Sequence, residues 1–356
     1  MSISADERRT RILDAVRNLG SVRITELAER LEIPAVTVRR DVAALAEAGL
    51  LRRSHGSVSS AAAATGADAP ARGDGPSIGL LVPAVGQYFD EVIAGARAAA
   101  ARAGASLVLG ISSYEASADR VQVEQLLTSG AQGLLLAPNW TPADGPEGRE
   151  WVEDLPVPAV LVERRPAPGS AAEDLDSVAS DHRHGVLLAV RHLAALGHGS
   201  VALVARRDTW TAHEIRAGYA ESCALLGLPA EPVIDIVRPV ADAEDVADTL
   251  AEAHARGVRA VLVHNDQDAI QLLPLLRARG LQVPADLAVV SYDDVFAELG
   301  APPLTAVAPP KRAVGAEAVA LLLRRLGGDG ALPVHHLLLL PRLTVRESCG
   351  AAARSN

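Results

Sequence analysis

The chain has 356 residues, enough for two or three domains, and 49% hydrophobic against 22% charged residues lets most of it fold around real cores. A net charge of −10 excludes a uniformly basic nucleic-acid binder, and the absence of any run of about 18 uncharged apolar residues excludes a helical membrane span. The N-terminus is polar and acidic, without the apolar centre of a secretory signal. Cys223 and Cys349 lie far apart and fit no metal spacing, which points to a reduced, cytoplasmic setting.

In chain order, Arg8-Arg9-Thr10-Arg11-Ile12-Leu13 opens a first helix, with Ile12, Leu13, Val16 and Leu19 on its core face and Gly20 as its stop. A second short helix runs over Glu26 to Leu31, with Thr25 placed to cap it. A turn through Ile33-Pro34 leads into a third. Its Val38, Val42 and Leu45 recur at helical spacing as a buried stripe, and Val36, Thr37, Arg39 and Arg40 turn away from that stripe. A small apolar group, a hydroxyl and two guanidiniums on one face suit the DNA major groove, where Arg bonds a guanine edge with both arms. The other reading is an arginine pair on a solvated face, tied to Asp41 or Glu47. Leu50 to Val58 reads as two short strands around a Gly turn, carrying Arg52, Arg53 and His55. Three helices and a basic hairpin make a winged helix-turn-helix.

Residues 6–58 resemble the DNA-binding domain of DeoR-type bacterial repressors. The resemblance lies in Glu7-Arg8-Arg9 with Ile12-Leu13, Thr25 to Leu31, Thr37 to Val42, Leu45, Gly49 to Arg53, and His55-Gly56. Pro34 departs from it, standing where that family has a capping serine. The resemblance implies DNA contacts for Thr37, Arg39 and Arg40, beside Val36, and phosphate contacts for Arg52, Arg53 and His55 in the wing. Phosphate contacts set register, while the helix reads sequence. Residues 1–60 hold ten Arg and eight acidic residues, a balance of +2 that leaves −12 for the remainder. So weakly basic a head has to rely on arginines gathered on one face and on two heads acting together.

Residues 59–76 have linker composition, rich in Ala, Gly and Pro. From Ser77 apolar strands alternate with helices: strands at 77–82, 105–109, 133–136, 158–162, 200–204, 260–263 and 287–290, and helices through Val92 to Ala100, 120–127, Val186 to Leu193 and 213–226. That alternation predicts parallel sheets covered on both faces, and the length predicts two α/β lobes. Ligands of such sheets sit beyond the carboxyl ends of strands. The segments there hold Tyr88, Phe89, Arg216, Asn265, Asp266, Tyr292, Asp293 and Asp294, a set suited to a small polar ligand. Two readings stand for Asp266 and Asp294, a ligand contact or the cap of the next helix, and two for Arg216, a ligand contact or a structural ion pair.

This constellation resembles the effector domain of LacI/GalR-type repressors, itself similar to periplasmic sugar-binding proteins. The matching stretches are Ile78 to Pro83, Tyr88 to Gly95, Gly133 to Leu136, His192 to His198, Arg216 to Tyr219, His264-Asn265-Asp266, Val290 to Asp294 and Pro302 to Val307. The resemblance implies a two-lobed ligand-binding domain over 77–350. In it Arg216 and Asp293 grip the ligand, Asn265 and Asp266 add hydrogen bonds, and Asp181 makes a further contact. Tyr88 and Phe89 form a stacking pair, and Trp210 stacks on a sugar or base. The join departs from that family, whose own head and hinge helix are replaced by a DeoR-type head and an Ala/Gly linker.

The expected protein is therefore α/β, a two-lobed periplasmic-binding-protein-like effector domain behind an N-terminal winged helix-turn-helix at 1–58. Its expected function is ligand-responsive transcriptional regulation, as a repressor. The expected partners are operator DNA, a sugar or nucleoside-like effector and a second copy in a homodimer, with no cofactor and no metal. No dinucleotide fingerprint, phosphate loop or His-Glu-x-x-His occurs, so an enzyme is not expected. A solute-binding protein without regulatory DNA binding is the alternative.

Overall fold

The computed structural model describes residues 8–9, 11–13, 15–16, 21–31, 33–47, 51–54, 57–60, 75–83, 88–112, 116–141, 150–229, 232–238, 240–328 and 332–351. The chain divides after residue 72 into two units.

In the first unit the described residues from Arg8 to Val16 are helical. Strand β1 (Ser21–Arg23) runs directly into helix α1 (Ile24–Leu31). Thr25 therefore lies inside the helix rather than at its cap. β1 pairs with Ser57–Ser59, and this pairing sets where the backbone turns. Helix α2 (Ala35–Glu47) follows Pro34, whose carbonyl accepts from the Thr37 and Val38 amides at 2.9 and 3.1 Å. Proline's fixed φ suits this entry. Strands β2 (Leu51–Ser54) and β3 (Ser57–Ser60) complete an antiparallel sheet of order β1-β3-β2, so the wing has three strands where two were expected. β3 also takes Ser59 and Ser60 from the expected linker. Ile12, Val16, Leu27, Val38, Val42, Leu45 and Leu51 form the core, each contributing about 1.5–3 kcal/mol by burial. Leu19, Gly20, Leu50, His55 and Gly56, and linker residues 61–74, lie outside the described residues.

The second unit runs β4 (Ser77–Pro83), α3 (Tyr88–Arg102), β5 (Ser106–Ser112), α4 (Ala116–Thr128), β6 (Gly133–Leu136), β7 (Ala159–Val162), β8 (Asp176–Ser180), α5 (His182–Ala195), β9 (Ala202–Arg206) and α6 (Trp210–Leu226). It continues with β10 (Val233–Ile236), α7 (Ala243–Ala255), β11 (Ala260–Val263), α8 (Asp266–Ala278), β12 (Ala288–Tyr292), β13 (Thr305–Ala308), α9 (Lys311–Leu326), β14 (His336–Leu339) and β15 (Arg342–Thr344). Two six-stranded sheets result, β14-β8-β7-β6-β4-β5 and β10-β9-β11-β12-β13-β15. All pairings are parallel except β13 with β15. Strands β4, β6, β7 and β11 read as apolar runs because both faces are covered by helices.

The chain passes between the sheets three times: from β8 into α5, from β13 into α9, and from β14 into β15. Helix α9 thus returns to the first lobe, where Val314, Ala318, Val319, Leu321 and Leu322 fill its core. Arg325 near its end grips buried Asp176 through two bonds of 2.6 and 2.8 Å. α9 crosses α3 at closest approach through Gly95 and Gly315; a Cβ on Gly315 would overlap the Val92 carbonyl, and one on Gly95 the Arg312 carbonyl. Gly315→Ala is expected to cost about 1–3 kcal/mol by forcing the helices apart, read as a lower calorimetric melting temperature of the second unit.

Candidate functional site

Helix α2 presents the first candidate surface. Its Asp41 is only 3% exposed and is held by Arg8 Nε at 2.9 Å, with Arg9 Nε at 3.6 Å. Asp41 is therefore committed to the first helix, and the described residues include no ion-pair partner for exposed Arg39 and Arg40. Both guanidiniums stand on the solvent side with half-buried Thr37. The side chains of Val36, Arg52 and Arg53, and all of His55, lie outside the described residues; the backbone of Arg52 and Arg53 belongs to β2.

The second surface is the cleft where the lobes meet. Strands β7 and β12 hold corresponding places in the two sheets. The residues that follow them, Glu163 and Asp293, are both acidic and both left-handed, with φ of 53° and 96°; Asp294 follows at 51°. Left-handed backbone is costly for residues other than glycine and persists where the surroundings enforce it.

Glu163 is 2% exposed and gathers donors from its own lobe. The Tyr88 hydroxyl donates to Oε1 at 2.8 Å, Ser180 Oγ to Oε1 at 2.9 Å, and the Ser180 amide to Oε2 at 2.9 Å. His182 Nε2 lies 3.6 Å from Oε2. Burial raises the Glu163 pKa, but His182 and the Ser180 and Tyr88 bonds outweigh it and hold the carboxyl below its ordinary value. The other ring nitrogen of His182 is 3.1 Å from the Tyr292 hydroxyl, so one imidazole links the lobes. Burial, followed by the Glu163 and Asp293 charges, pushes the Tyr88 hydroxyl well above its usual range.

Asp293 differs from Glu163. Its backbone carbonyl accepts from Lys311 Nζ, yet its buried Oδ1 has no hydrogen-bond partner among the described residues. Burial and the Asp266 charge push its carboxyl up to about 7, against Lys311 and His182.

Beside this network a recess is lined by Arg165, Asp181, His182, Trp210, Glu214 and Leu338, among others. Trp210 opens α6 behind its cap Thr209 and lines the recess. Asp181 lines the recess while capping α5, with Oδ1 accepting from the His184 amide at 2.9 Å.

The cleft thus gathers Tyr88, Asp181, Trp210 and Asp293. Phe89 packs edge-on against Tyr88 at 5.5 Å between centroids and leans on the first lobe's core. Asn265 caps α8, its side-chain oxygen taken by the Asp268 amide at 3.1 Å. Arg216 and Asp266 are engaged within the protein. Arg216 donates to Asp235 at 2.6 Å and to the Ala205 and Arg206 carbonyls at 2.7 and 2.8 Å, the structural pair of the two readings. Asp266 is 2% exposed and accepts from Ser291 Oγ and the Val295 and Phe296 amides, tying down the loop after β12. Buried carboxylates satisfied in this way are held as structure. Asp294 likewise accepts from Thr344 and Arg346.

Glu163, Ser180, His182 and Lys311 escaped the sequence reading. Glu163 follows a strand that was recognised, so reading past its end reaches this acid. Ser180 and His182 flank the exit of β8, whose Asp-Ser-Val-Ala-Ser lacks an apolar run.

Residues 8–63 match the DeoR-like helix-turn-helix domain family, and residues 190–349 the periplasmic binding protein-like domain family. The HTH-type transcriptional repressor PurR of Vibrio atlanticus (strain LGP32) is 30% identical over 260 residues, spanning 70% of this chain and 74% of that repressor. The arabinose metabolism transcriptional repressor of Geobacillus stearothermophilus is 23% identical over 91% of this chain and 89% of its own. The fold is shared with the lac repressor dimer bound to operator, at a TM-score of 0.67 and 24% identity over 79% of this chain and 99% of that one. The chain belongs to the LacI family of DNA-binding transcriptional repressors, with a DeoR-like helix-turn-helix in front of its periplasmic-binding-protein-like domain.

Proposed function

We propose that this repressor answers an uncharged polyol, a sugar held between its two lobes, and carries that signal to operator DNA as a homodimer in the cytoplasm. The observation that carries the effector reading is the buried Asp293 Oδ1, without a partner among the described residues, in a cleft whose recess Trp210 helps to line. Carboxylates accept from hydroxyls, and an aromatic face covers the apolar side of a sugar ring. Asp181 and Glu214 line the recess beside Glu163 and outnumber Arg165 there, which opposes a phosphorylated or anionic effector. The name of the arabinose metabolism repressor agrees with a sugar. Domain limits near 58 and 77 and the absence of catalysis belong to the same reading.

The exposed Arg39 and Arg40 on α2 support DNA reading by that helix, with Thr37 beside them and Arg52, Arg53 and His55 in the wing. The operator-bound dimer of the lac repressor supports two heads on one site.

L-arabinose, D-ribose and cellobiose, each with its phosphorylated counterpart where one exists, test the effector reading by thermal shift on the full chain. At about a hundredfold excess over Kd, one neutral sugar is expected to add about 2.7 kcal/mol of stability, and its phosphate none. Trp210→Ala is expected to weaken that sugar by about fivefold, in line with about 1 kcal/mol for an aromatic contact. A stronger shift from the phosphates overturns the reading.

A further inference from the structure

Glu163 and Asp293 occupy corresponding positions and lie within each other's field, yet they are treated differently. Both oxygens of Glu163 are served by donors. Asp293 Oδ1 is buried and has no donor among the described residues. A buried carboxylate oxygen in that state is relieved either by a proton of its own or by a donor from outside the protein.

The groups facing Asp293 come from every element around it. Asp266 of α8 and Glu163 beyond β7 favour the protonated form; Lys311 of α9 and His182 of α5 oppose it. Tyr88 of α3 and Tyr292 on the same strand are both pushed far up by burial, so neither ionises near neutrality. Asp294 next door is engaged with Thr344 and Arg346. Asp293 also adjoins the contacts that join the lobes: Lys311, at the head of the crossover helix, donates to its backbone carbonyl, and Tyr292 before it reaches His182, which faces Glu163 of the first lobe at 3.6 Å.

We propose that the Asp293 carboxyl holds one dissociable proton in the ligand-free protein, and that losing it loosens the contact between the two lobes. The proposal rests on the polyol reading above. A sugar hydroxyl donating to Oδ1 takes the place of that proton. The carboxylic O–H bond breaks, its electron pair stays on the carboxylate, and the proton leaves to solvent. Filling the cleft and releasing a proton thereby become linked events.

The direction of the pH dependence follows. Folded Asp293 keeps its proton up to about pH 7, whereas the unfolded chain loses it near 3.8. The stability this group contributes is complete at acid pH and is lost as pH rises to neutrality, with no further change above.

The test follows the melting temperature and Trp210 emission of the full chain from about pH 5 to pH 9, because the indole lies among residues of both lobes. The wild type is expected to lose several degrees up to about pH 7 and no more above it, and to shift its emission with one midpoint near neutrality; Trp210→Phe removes the emission change. Asp293→Asn is expected to abolish both the loss and the midpoint, and Lys311→Met to raise the midpoint, which keeps the proposal decidable if Asp293→Asn does not fold. Asp268 is the competing source, with an unpartnered buried oxygen and a carboxyl pushed up to about 6 by burial. A midpoint that survives in Asp293→Asn, stays put in Lys311→Met, or vanishes in Asp268→Asn overturns the proposal. Calorimetric titration with L-arabinose, D-ribose and cellobiose separates the two claims. If none of them binds while the midpoint follows Asp293, the polyol reading fails and the proton stays assigned. If one binds to a protein without that midpoint, the reverse holds.

Discussion

Glu163→Ala is expected to be the most damaging single substitution in the cleft. It strands the Tyr88 hydroxyl and the Ser180 amide and hydroxyl in a buried place, all of which now converge on two oxygens. Removing one partner of a buried charged network costs about 3–5 kcal/mol, because the groups left behind have already lost their water. Glu163 also faces His182 across the first crossover at 3.6 Å, so sugar response should disappear together with stability. Glu163→Gln keeps the volume and one acceptor oxygen, and its loss should be about 1–2 kcal/mol. Calorimetry of the second unit's transition measures both, and equal losses in Ala and Gln variants would show that shape rather than the acceptor pair holds the cleft together.

Arg40→Ala is expected to weaken operator binding by about 1–3 kcal/mol, roughly 5- to 150-fold. Arg40 is exposed on α2, and the acid beside it is already engaged by Arg8, so its guanidinium is free for a base edge. An arginine matches guanine with two parallel bonds that lysine cannot copy. Arg40→Lys should therefore recover the salt dependence of binding but little of its sequence preference. Fluorescence anisotropy on a duplex selected with the full chain, against a scrambled duplex, reads both. Equal loss on the two duplexes would mark Arg40 as a phosphate contact instead.

Much of the architecture was legible in the sequence because its strands are buried on both faces. Gly133 to Leu136 and Ala260 to Val263 were placed residue for residue, since an apolar tetrad bounded by polar turns has few alternatives. β8, β10 and β14 were not found. Asp-Ser-Val-Ala-Ser carries a buried acid that only Arg325 explains, and the other two are edge strands with half-exposed side chains. β1 escaped because its pairing partner lies 34 to 38 residues away, beyond any local pattern.

In the cleft, Asp293 and Trp210 could be reached from strand ends and spacing. The sequence could not tell Asp266, which holds a loop, from Asp293, which has an idle oxygen. That distinction depends on which amides happen to point at each carboxylate. Arg216 illustrates the same limit, since Asp235 meets it only through the pairing of β9 with β10.

The threefold passage between the sheets has a consequence for how the protein is made. Helix α9 and strand β14 belong to the first lobe but are translated after nearly all of the second. A nascent chain that has emerged as far as Ala308 carries a first lobe with one core face bare, the face later covered by Val314, Ala318 and Leu322. Domains assemble most readily in the order they leave the ribosome, and here the earlier lobe has to wait for the later one. Chaperone engagement during synthesis should concentrate on that bare face and end once α9 and β14 have emerged.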